Sequence, residues 1–364
     1  MGKTRKKQGR RIDVVKPKSV GMSRKRLRRV SRWLQHQVAS ERVAGASALI
    51  ARHGQVAFFE TTGMADVEAG KPFAEDTIVR IYSMTKPITA VAAMMLYEEG
   101  CFALDDPVAR YLPEFTETRV WAGGGAPAEQ TVLMATPMSV RHLMTHTSGL
   151  TYGFMRSNPV DALYRERHID FHGGAANLAE VVERVAKIPL ICQPGSAWNY
   201  SVSSDVLGRL VEVWSGKSLA EFFQERLFDP LDMADTGFYV DPSNHHRLAA
   251  CYAPLSGAEL GGGSATPPLT PKPTGFKLQD PASTSPYLKP TPVYSGGGGL
   301  TSSMRDYARF CQMVLNRGEL DGQRVLGRTT VEYMRRNQLP ENRDMAAMGQ
   351  PVWSETSYEG IGFG

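Results

Sequence analysis

The spacing of apolar residues near the start of the chain predicts a helix followed by a β-hairpin. Between Ser23 and Val38, apolar side chains recur every three or four positions, which is typical of a helix packed along one face. The apolar positions of this helix are Leu27, Val30, Leu34 and Val38. Two extended runs follow, Gly45–Arg52 and Gln55–Thr61, joined at His53-Gly54 as an antiparallel hairpin. A helix next to an antiparallel hairpin indicates one side of an α+β sheet domain.

A second pattern predicts a strand that leads into a buried helix. The β-branched residues of Thr77–Tyr82 indicate an extended segment, and apolar residues then recur at helical spacing until Gly100. Those apolar residues are Ile88, Val91, Ala92, Met95 and Leu96. Ser83 occupies the expected N-cap position, and Pro87 falls in the first turn, where a missing N–H does least harm.

The remaining pattern divides the chain into a helical middle, an irregular loop and a return to the sheet. We expect residues 20–104 to form the first part of the sheet domain and residues 105–253 a mainly helical domain, with Leu178–Val185 and Asp205–Trp214 as its clearest helices. Residues 254–295 are rich in proline and glycine, which predicts a long irregular loop. Residues 296–364 return to the sheet domain, and Ser303 with Asp306 predicts another helix start.

Charge is distributed unevenly along the 364 residues. Residues 1–30 hold 13 Lys or Arg residues and one acidic residue, Asp13, whereas the rest holds 29 basic and 36 acidic residues. We interpret residues 1–19 as a disordered basic arm, and favour a solvated tail over a segment that binds nucleic acid or an anionic surface. No apolar run follows these charges, so a secretory signal and a membrane span are not predicted. The four cysteines lie far apart, which favours free thiols in a reducing, cytoplasmic compartment.

Ser83 and Lys86 are the first candidate chemistry. Residues three apart on a helix share a face, so the lysine can hydrogen-bond the serine hydroxyl and help to remove its proton. The spacing alone proves little, because 25 serines and 13 lysines in 364 residues give about one chance match. The alternative is a serine that merely caps the helix, beside an exposed lysine.

Tyr200 is the second candidate. It lies in a loop just before the Asp205–Trp214 helix. Beside a lysine ammonium the phenolate form of a tyrosine is favoured, which would let it act as a general base. The alternative is a packing tyrosine with a satisfied hydroxyl.

Together these segments resemble the penicillin-recognising serine hydrolases. Arg80–Ala90 is similar to their nucleophile segment, and Tyr200-Ser201-Val202 to their second motif, a Tyr-x-Asn triplet in class C β-lactamases. Further similar segments, in the expected order, are Arg141–Leu150, Pro194–Trp198, Gly296–Leu300 and Asp306–Phe310. The likeness is greatest to the class C-like esterases, the family VIII carboxylesterases.

The resemblance implies a fold and a mechanism. The fold would be an antiparallel sheet flanked by helices, with a mostly helical domain inserted between its two halves. Ser83 would be the nucleophile, Lys86 its hydrogen-bonded partner and Tyr200 the general base, and the Ser83 N–H would form half of the oxyanion hole. A small-molecule ester would be the substrate, with no cofactor and no metal.

Two departures from the family pattern bear on this expectation. Val202 stands where an amide would contact a β-lactam or peptide, which favours an esterase over a β-lactamase or D-alanyl-D-alanine carboxypeptidase. The family's third motif, a Lys-Thr-Gly-like triplet on a strand that lines the site, is not found. Lys272-Pro273-Thr274-Gly275 is not a substitute, because it lies in the proline-rich loop. The chain stops at Gly360–Gly364, which resembles the strand before that motif. We therefore expect a C-terminally truncated form lacking sheet strands and a terminal helix, and a catalytically inactive interaction protein stays a further alternative.

Histidine spacing gives only weak signals. His142 and His146 are four residues apart, as are His168 and His172, but neither pair has the glutamate of a zinc-protease motif. We expect neither pair to bind a metal.

Overall fold

Short antiparallel strands form the sheet elements of the chain. The computed structural model describes residues 11–170, 174–255, 275–349 and 360–364. The strands are β1 Gly45–Arg52, β2 Gln55–Asp66, β3 Lys71–Pro72, β4 Ile78–Arg80, β5 Arg119–Trp121, β6 Thr131–Leu133, β7 Cys251–Pro254, β8 Phe276–Asp280, β9 Thr301–Ser303, β10 Glu319–Leu320 and β11 Gln323–Arg324. In the described part of the chain, β1, β2 and β3 form a three-stranded sheet and the other strands form antiparallel pairs.

Helices surround these strands and fill the space between them. They are α1 Arg24–Ala39, α2 Thr85–Glu98, α3 Val140–Met144, α4 Pro159–Glu166, α5 Leu178–Ala186, α6 Ser203–Ser215, α7 Leu219–Phe223, α8 Met304–Leu315 and α9 Arg328–Met334. The α+β fold class predicted from the sequence is confirmed.

The predicted helix and hairpin at the start of the chain are present. Ser23 caps α1 by accepting a hydrogen bond from the Arg26 N–H, and α1 packs on β1 and β2. The two strands pair from Gly45 opposite Gly63 to Arg52 opposite Gln55. His53 and Gly54 turn the chain with φ values of 53° and 72°, the conformation that a two-residue hairpin turn requires.

The helix that follows the predicted strand forms the centre of the core. Almost every residue of α2 from Thr85 to Leu96 is buried, and the helix packs against α6. It ends at Glu98, and Gly100, with a φ of 76°, follows the C-cap residue Glu99, where a glycine commonly terminates a helix. Because α2 is covered on all sides, its first turn is held in a fixed position.

Strand pairing brings distant parts of the chain together at the start of α2. β4 pairs with β9, with Ile78 opposite Ser303 and Arg80 opposite Thr301. Ser303 caps α8 as predicted, but Asp306 does not return the bond and instead accepts from the Asp235 N–H at 2.6 Å. β9 therefore lies beside the strand that leads into Ser83 and α2.

Three expectations about irregular segments need correction. The basic arm lies partly outside the described residues, but Val14 bridges Val56 and Pro17–Val20 forms a 3₁₀ helix, so residues 14–19 are not disordered. The proline-rich segment is not wholly irregular, because it contains β8, which pairs with β7 with Phe276 opposite Pro254. Residues 256–274, which include Lys272-Pro273-Thr274, lie outside the described residues.

The third correction concerns the last residues of the chain. Residues 360–364 form no strand and pack as an extended tail on the helices, where the Phe363 N–H donates to the Met334 carbonyl and the Phe363 ring is buried.

The cysteines form no disulfide bond within the described residues. Cys101, Cys192, Cys251 and Cys311 are free thiols. Among the described residues, no helix combines the length and the apolar character needed to cross a bilayer.

Candidate active site

Ser83 lies in a short 3₁₀ turn between β4 and α2. The turn comprises Tyr82–Met84, and α2 begins only at Thr85, so Ser83 is not the N-cap that the sequence predicted. Tyr82 has a φ of 41°, an unfavourable conformation for a bulky residue, and this turns the next side chain outward. Ser83 is exposed, and its N–H donates no hydrogen bond within the part of the chain that the structure describes. The hydroxyl and the N–H are thus both accessible.

Two side chains converge on the Ser83 hydroxyl. The Tyr200 hydroxyl lies 2.5 Å from Ser83 Oγ, and Lys86 Nζ lies 3.2 Å from the same atom. Lys86 Nζ also lies 4.6 Å from the centre of the Tyr200 ring. The three residues singled out by the sequence therefore form one cluster.

Lys86 is buried and held by two further groups. Its Nζ donates to the Gly297 carbonyl at 2.6 Å and to the Tyr152 hydroxyl at 3.2 Å. The side chain is only 4% exposed. Burial lowers the pKa of Lys86 to about 8, and the Asp205 carboxylate offsets part of this by favouring the ammonium form. An appreciable fraction of Lys86 is thus uncharged near neutral pH.

Asp205 lies behind this cluster and positions the backbone that binds Lys86. Its carboxylate accepts from Ser295 Oγ at 2.5 Å and from the Gly297 N–H at 3.1 Å. A Cβ on Gly297 would lie 2.5 Å from an Asp205 oxygen and 3.2 Å from the Tyr152 hydroxyl. Only a glycine at position 297 lets the chain pass between these side chains.

Tyr200 ends the loop before α6 and is buried. Burial raises its pKa to about 12, the nearby Asp205 charge adds to the increase, and the bond to Ser83 opposes it. The sequence predicted that a neighbouring lysine favours the phenolate, which would lower this pKa. The pKa is raised instead, because desolvation disfavours a charged phenolate in the site. Tyr200 is therefore protonated at neutral pH, and its hydroxyl has a proton to donate.

His146 packs beside Tyr200 and has no charge. Its Nδ1 lies 3.2 Å from Ser201 Oγ, and the ring centres of His146 and Tyr200 are 5.1 Å apart. Burial lowers the pKa of His146 to about 3, with the Lys86 charge acting in the same direction.

The structure gives each described member of the histidine pairs its own surroundings. His142 Nδ1 accepts from the Ser139 N–H as part of the α3 cap, and so faces a different partner from His146. His168 is exposed, and His172 lies outside the described residues. Within the described ranges, no group of three or more metal-ligating side chains comes together.

Sequence reasoning missed Tyr152, Asp205 and Gly297 as members of the site. Gly297 lies within the segment Gly296–Leu300 that the sequence singled out, Asp205 begins a predicted helix, and Tyr152 follows Arg141–Leu150 by two residues. Nothing in the sequence, however, shows that they face Lys86.

A family model described as Beta-lactamase matches residues 30–360. The chain belongs to this family. Two relatives share 34% identity with it: Protein Rv1367c of Mycobacterium tuberculosis, over 88% of the chain and 74% of the relative, and esterase EstB of Burkholderia gladioli, over 89% and 74%. Among solved structures, EstCE1, described as a hydrolase with promiscuous acyltransferase activity, is similar with a TM-score of 0.71 and 28% identity, over 93% of this chain and 81% of that one. The family and these relatives support placing the chain among the β-lactamase-related serine hydrolases and esterases.

Val202, the position that departs from the class C pattern, is buried. Its side chain is 2% exposed and its N–H donates to the Thr151 carbonyl at 3.3 Å. Position 202 of this β-lactamase-family member therefore carries a buried apolar side chain where the class C pattern has an asparagine.

Proposed function

We propose that the chain is a serine carboxylesterase that cleaves small or short-chain esters through an acyl-enzyme on Ser83. The observation that carries this proposal is the convergence of Tyr200 and the buried Lys86 on one exposed serine hydroxyl, at 2.5 Å and 3.2 Å. A serine becomes a nucleophile when an adjacent base can take its proton. The names of EstB and EstCE1 support an ester as substrate.

In the acylation step, uncharged Lys86 takes the Ser83 proton as Oγ attacks the ester carbonyl. The pKa of about 8 supports this role, because the uncharged form is accessible near neutral pH. The Ser83 N–H, in the 3₁₀ turn just before α2, donates to the oxyanion. When the tetrahedral intermediate collapses, the Tyr200 hydroxyl protonates the departing alkoxide.

In the deacylation step, the protons return to their original positions. The Tyr200 phenolate left by acylation lies beside the Lys86 ammonium, which stabilises it. The phenolate takes a proton from the attacking water, and Ser83 Oγ leaves with the proton held by Lys86. The acid is released, and each side chain regains its starting charge.

The buried Val202 supports an ester over a β-lactam or a peptide. Those two substrates carry a side-chain amide that a family asparagine would bind, and an unpaired buried amide costs about 1–3 kcal/mol. A higher kcat/KM for nitrocefin than for p-nitrophenyl acetate would instead favour a β-lactamase.

The proposal is tested with Ser83→Ala and Tyr200→Phe. Each is expected to lower kcat/KM for p-nitrophenyl acetate by about a thousandfold or more, since each removes a group that acts on the reacting atoms. Tyr239→Phe, at an exposed tyrosine, is the matched control and should leave the rate unchanged. A fluorophosphonate probe should label the wild type but not Ser83→Ala. Retained activity in either site variant would reject its assigned role, and no labelling of the wild type would favour an interaction protein.

A further inference from the structure

One face of α1 carries an unusual concentration of positive charge. Six basic side chains of this helix are exposed, and α1 contains no acidic residue. They are Arg24, Lys25, Arg26, Arg28, Arg29 and Arg32, and we call them the α1 basic face. Leu27 and Leu34 on the opposite side are buried against the sheet. The α1 basic face is therefore exposed over the first nine residues of the helix, away from the side that packs on the sheet.

The α1 basic face is not neutralised by the protein. Within the described ranges of the chain, none of the six cations forms an ion pair with an acidic residue, although many other arginines do. The arrangement is also unfavourable for the helix itself. Arg24 with Arg28, Lys25 with Arg29, and Arg28 with Arg32 are like charges four residues apart, and three cations occupy the N-terminal turn, where the helix dipole repels them. An external anionic partner would relieve this repulsion.

An exposed tryptophan borders the same face. Trp33 is 58% exposed and lies one turn after Arg29, next to Arg32. Indole side chains prefer the boundary between lipid headgroups and acyl chains, where an apolar ring and a polar N–H are both accommodated. A row of cations beside such a ring matches the chemistry of an anionic membrane surface.

We propose that the α1 basic face docks the protein on membranes containing anionic phospholipids, with Trp33 entering the headgroup region. The apolar side of α1 is already packed on β1 and β2, so docking places the intact helix flat on the surface without inserting it. Phosphate groups would pair with the cations, and binding would weaken with salt.

The test measures co-sedimentation of the full chain with lipid vesicles. The vesicles are phosphatidylcholine alone, or phosphatidylcholine with about 30% phosphatidylglycerol, at about 0.05 M and about 0.5 M salt. Binding is expected only to the anionic vesicles, and it should fall at the higher salt. No binding, or equal binding to neutral vesicles, would overturn the proposal.

Two charge variants locate the surface. The first replaces four residues of the α1 basic face with glutamine: Lys25, Arg28, Arg29 and Arg32. The matched control replaces four exposed cations elsewhere: Lys277, Lys289, Arg335 and Arg336. Since each surface cation accounts for about a fivefold change in partition, the four substitutions of the first variant should together weaken binding by about 600-fold, and those of the control by less than about threefold. Equal losses of vesicle binding in the two variants would overturn the proposal, because net charge alone would then explain the binding. Unchanged circular dichroism and p-nitrophenyl acetate hydrolysis would show that both variants fold.

Trp33→Ala separates a membrane from a nucleic acid. It should weaken vesicle binding severalfold while leaving the salt dependence unchanged, because it removes no charge. Fluorescence anisotropy with a labelled DNA or RNA duplex is the parallel measurement. Tighter binding to the duplex than to the vesicles, lost in the four-residue α1 variant and kept in Trp33→Ala, would overturn the proposal in favour of nucleic acid.

Discussion

The proposed role of Lys86 makes a specific prediction about pH. If uncharged Lys86 accepts the Ser83 proton, kcat/KM for an ester must follow the fraction of enzyme in which Lys86 has lost its own proton. The pKa of the buried side chain is about 8. Because the reactive form is the deprotonated one, the rate rises with pH through this value and reaches a plateau above it.

The size of the rise follows from the same pKa. A group with a pKa of about 8 is about one-tenth deprotonated at pH 7, half at pH 8 and about nine-tenths at pH 9. We therefore expect kcat/KM for p-nitrophenyl acetate to increase about tenfold from pH 7 to pH 9. The rate of Ser83→Ala at each pH is subtracted to remove spontaneous hydrolysis.

Asp205→Asn tests whether Lys86 is the titrating group. Asp205 favours the ammonium form of Lys86, so its neutralisation should move the inflection to lower pH, and a larger share of the plateau rate is then reached at pH 7. Asparagine keeps an oxygen that can accept from Ser295 and Gly297. Asp229→Asn, at an exposed residue, is the control for charge and should leave the inflection in place. A flat profile between pH 7 and 9, or an inflection that moves upward in Asp205→Asn, would refute the reasoning.

Two further predictions concern the packing around the site. Gly297→Ala should lower the free energy of unfolding by about 1–3 kcal/mol and the activity by more than tenfold, since its methyl would lie 2.5 Å from an Asp205 oxygen. Gly298→Ala is the control and should change neither, because its methyl meets nothing closer than 3.8 Å. Equal behaviour of the two variants in urea unfolding and ester hydrolysis would contradict this prediction. Asp280→Ala should lower the free energy of unfolding by about 3 kcal/mol, because it leaves the buried Arg80 guanidinium without its carboxylate partner at 2.5 Å; a loss below about 1 kcal/mol in urea titration would contradict the importance of this pair.

The sequence predicted those parts of the fold whose causes are local. α1 follows from a four-residue apolar period and a capping serine, and the first hairpin from a turn at His53-Gly54. The strand β8 and the ordered residues 14–19 were missed because their stability comes from pairing with β7 and β2, which no local pattern shows. The position of Ser83 outside the N-cap was missed for the same reason, since its 3₁₀ turn follows β4 and lies beside Gly298, which is distant in the sequence.

The chemistry of the site depends on contacts that are more distant still. The sequence brought Ser83, Lys86 and Tyr200 to attention, but the direction of the Tyr200 pKa could not be inferred from residue types. A neighbouring lysine lowers the pKa of a phenol only when its charge outweighs the cost of burial, and here burial is the larger effect.

The same burial explains why Lys86 is suited to be the base. Desolvation penalises any charge in this site, so it raises the pKa of the Tyr200 phenol and lowers the pKa of the Lys86 amine, and the two values move apart. An uncharged amine beside a protonated phenol is therefore favoured in the site over an ammonium beside a phenolate, whereas in water, where a lysine and a tyrosine both titrate near pH 10, neither arrangement of the proton is strongly preferred. Asp205 limits this effect by keeping some positive charge on Lys86, and it also holds the Gly297 carbonyl that binds the ammonium. One buried carboxylate thus sets the position and the protonation of Lys86 together.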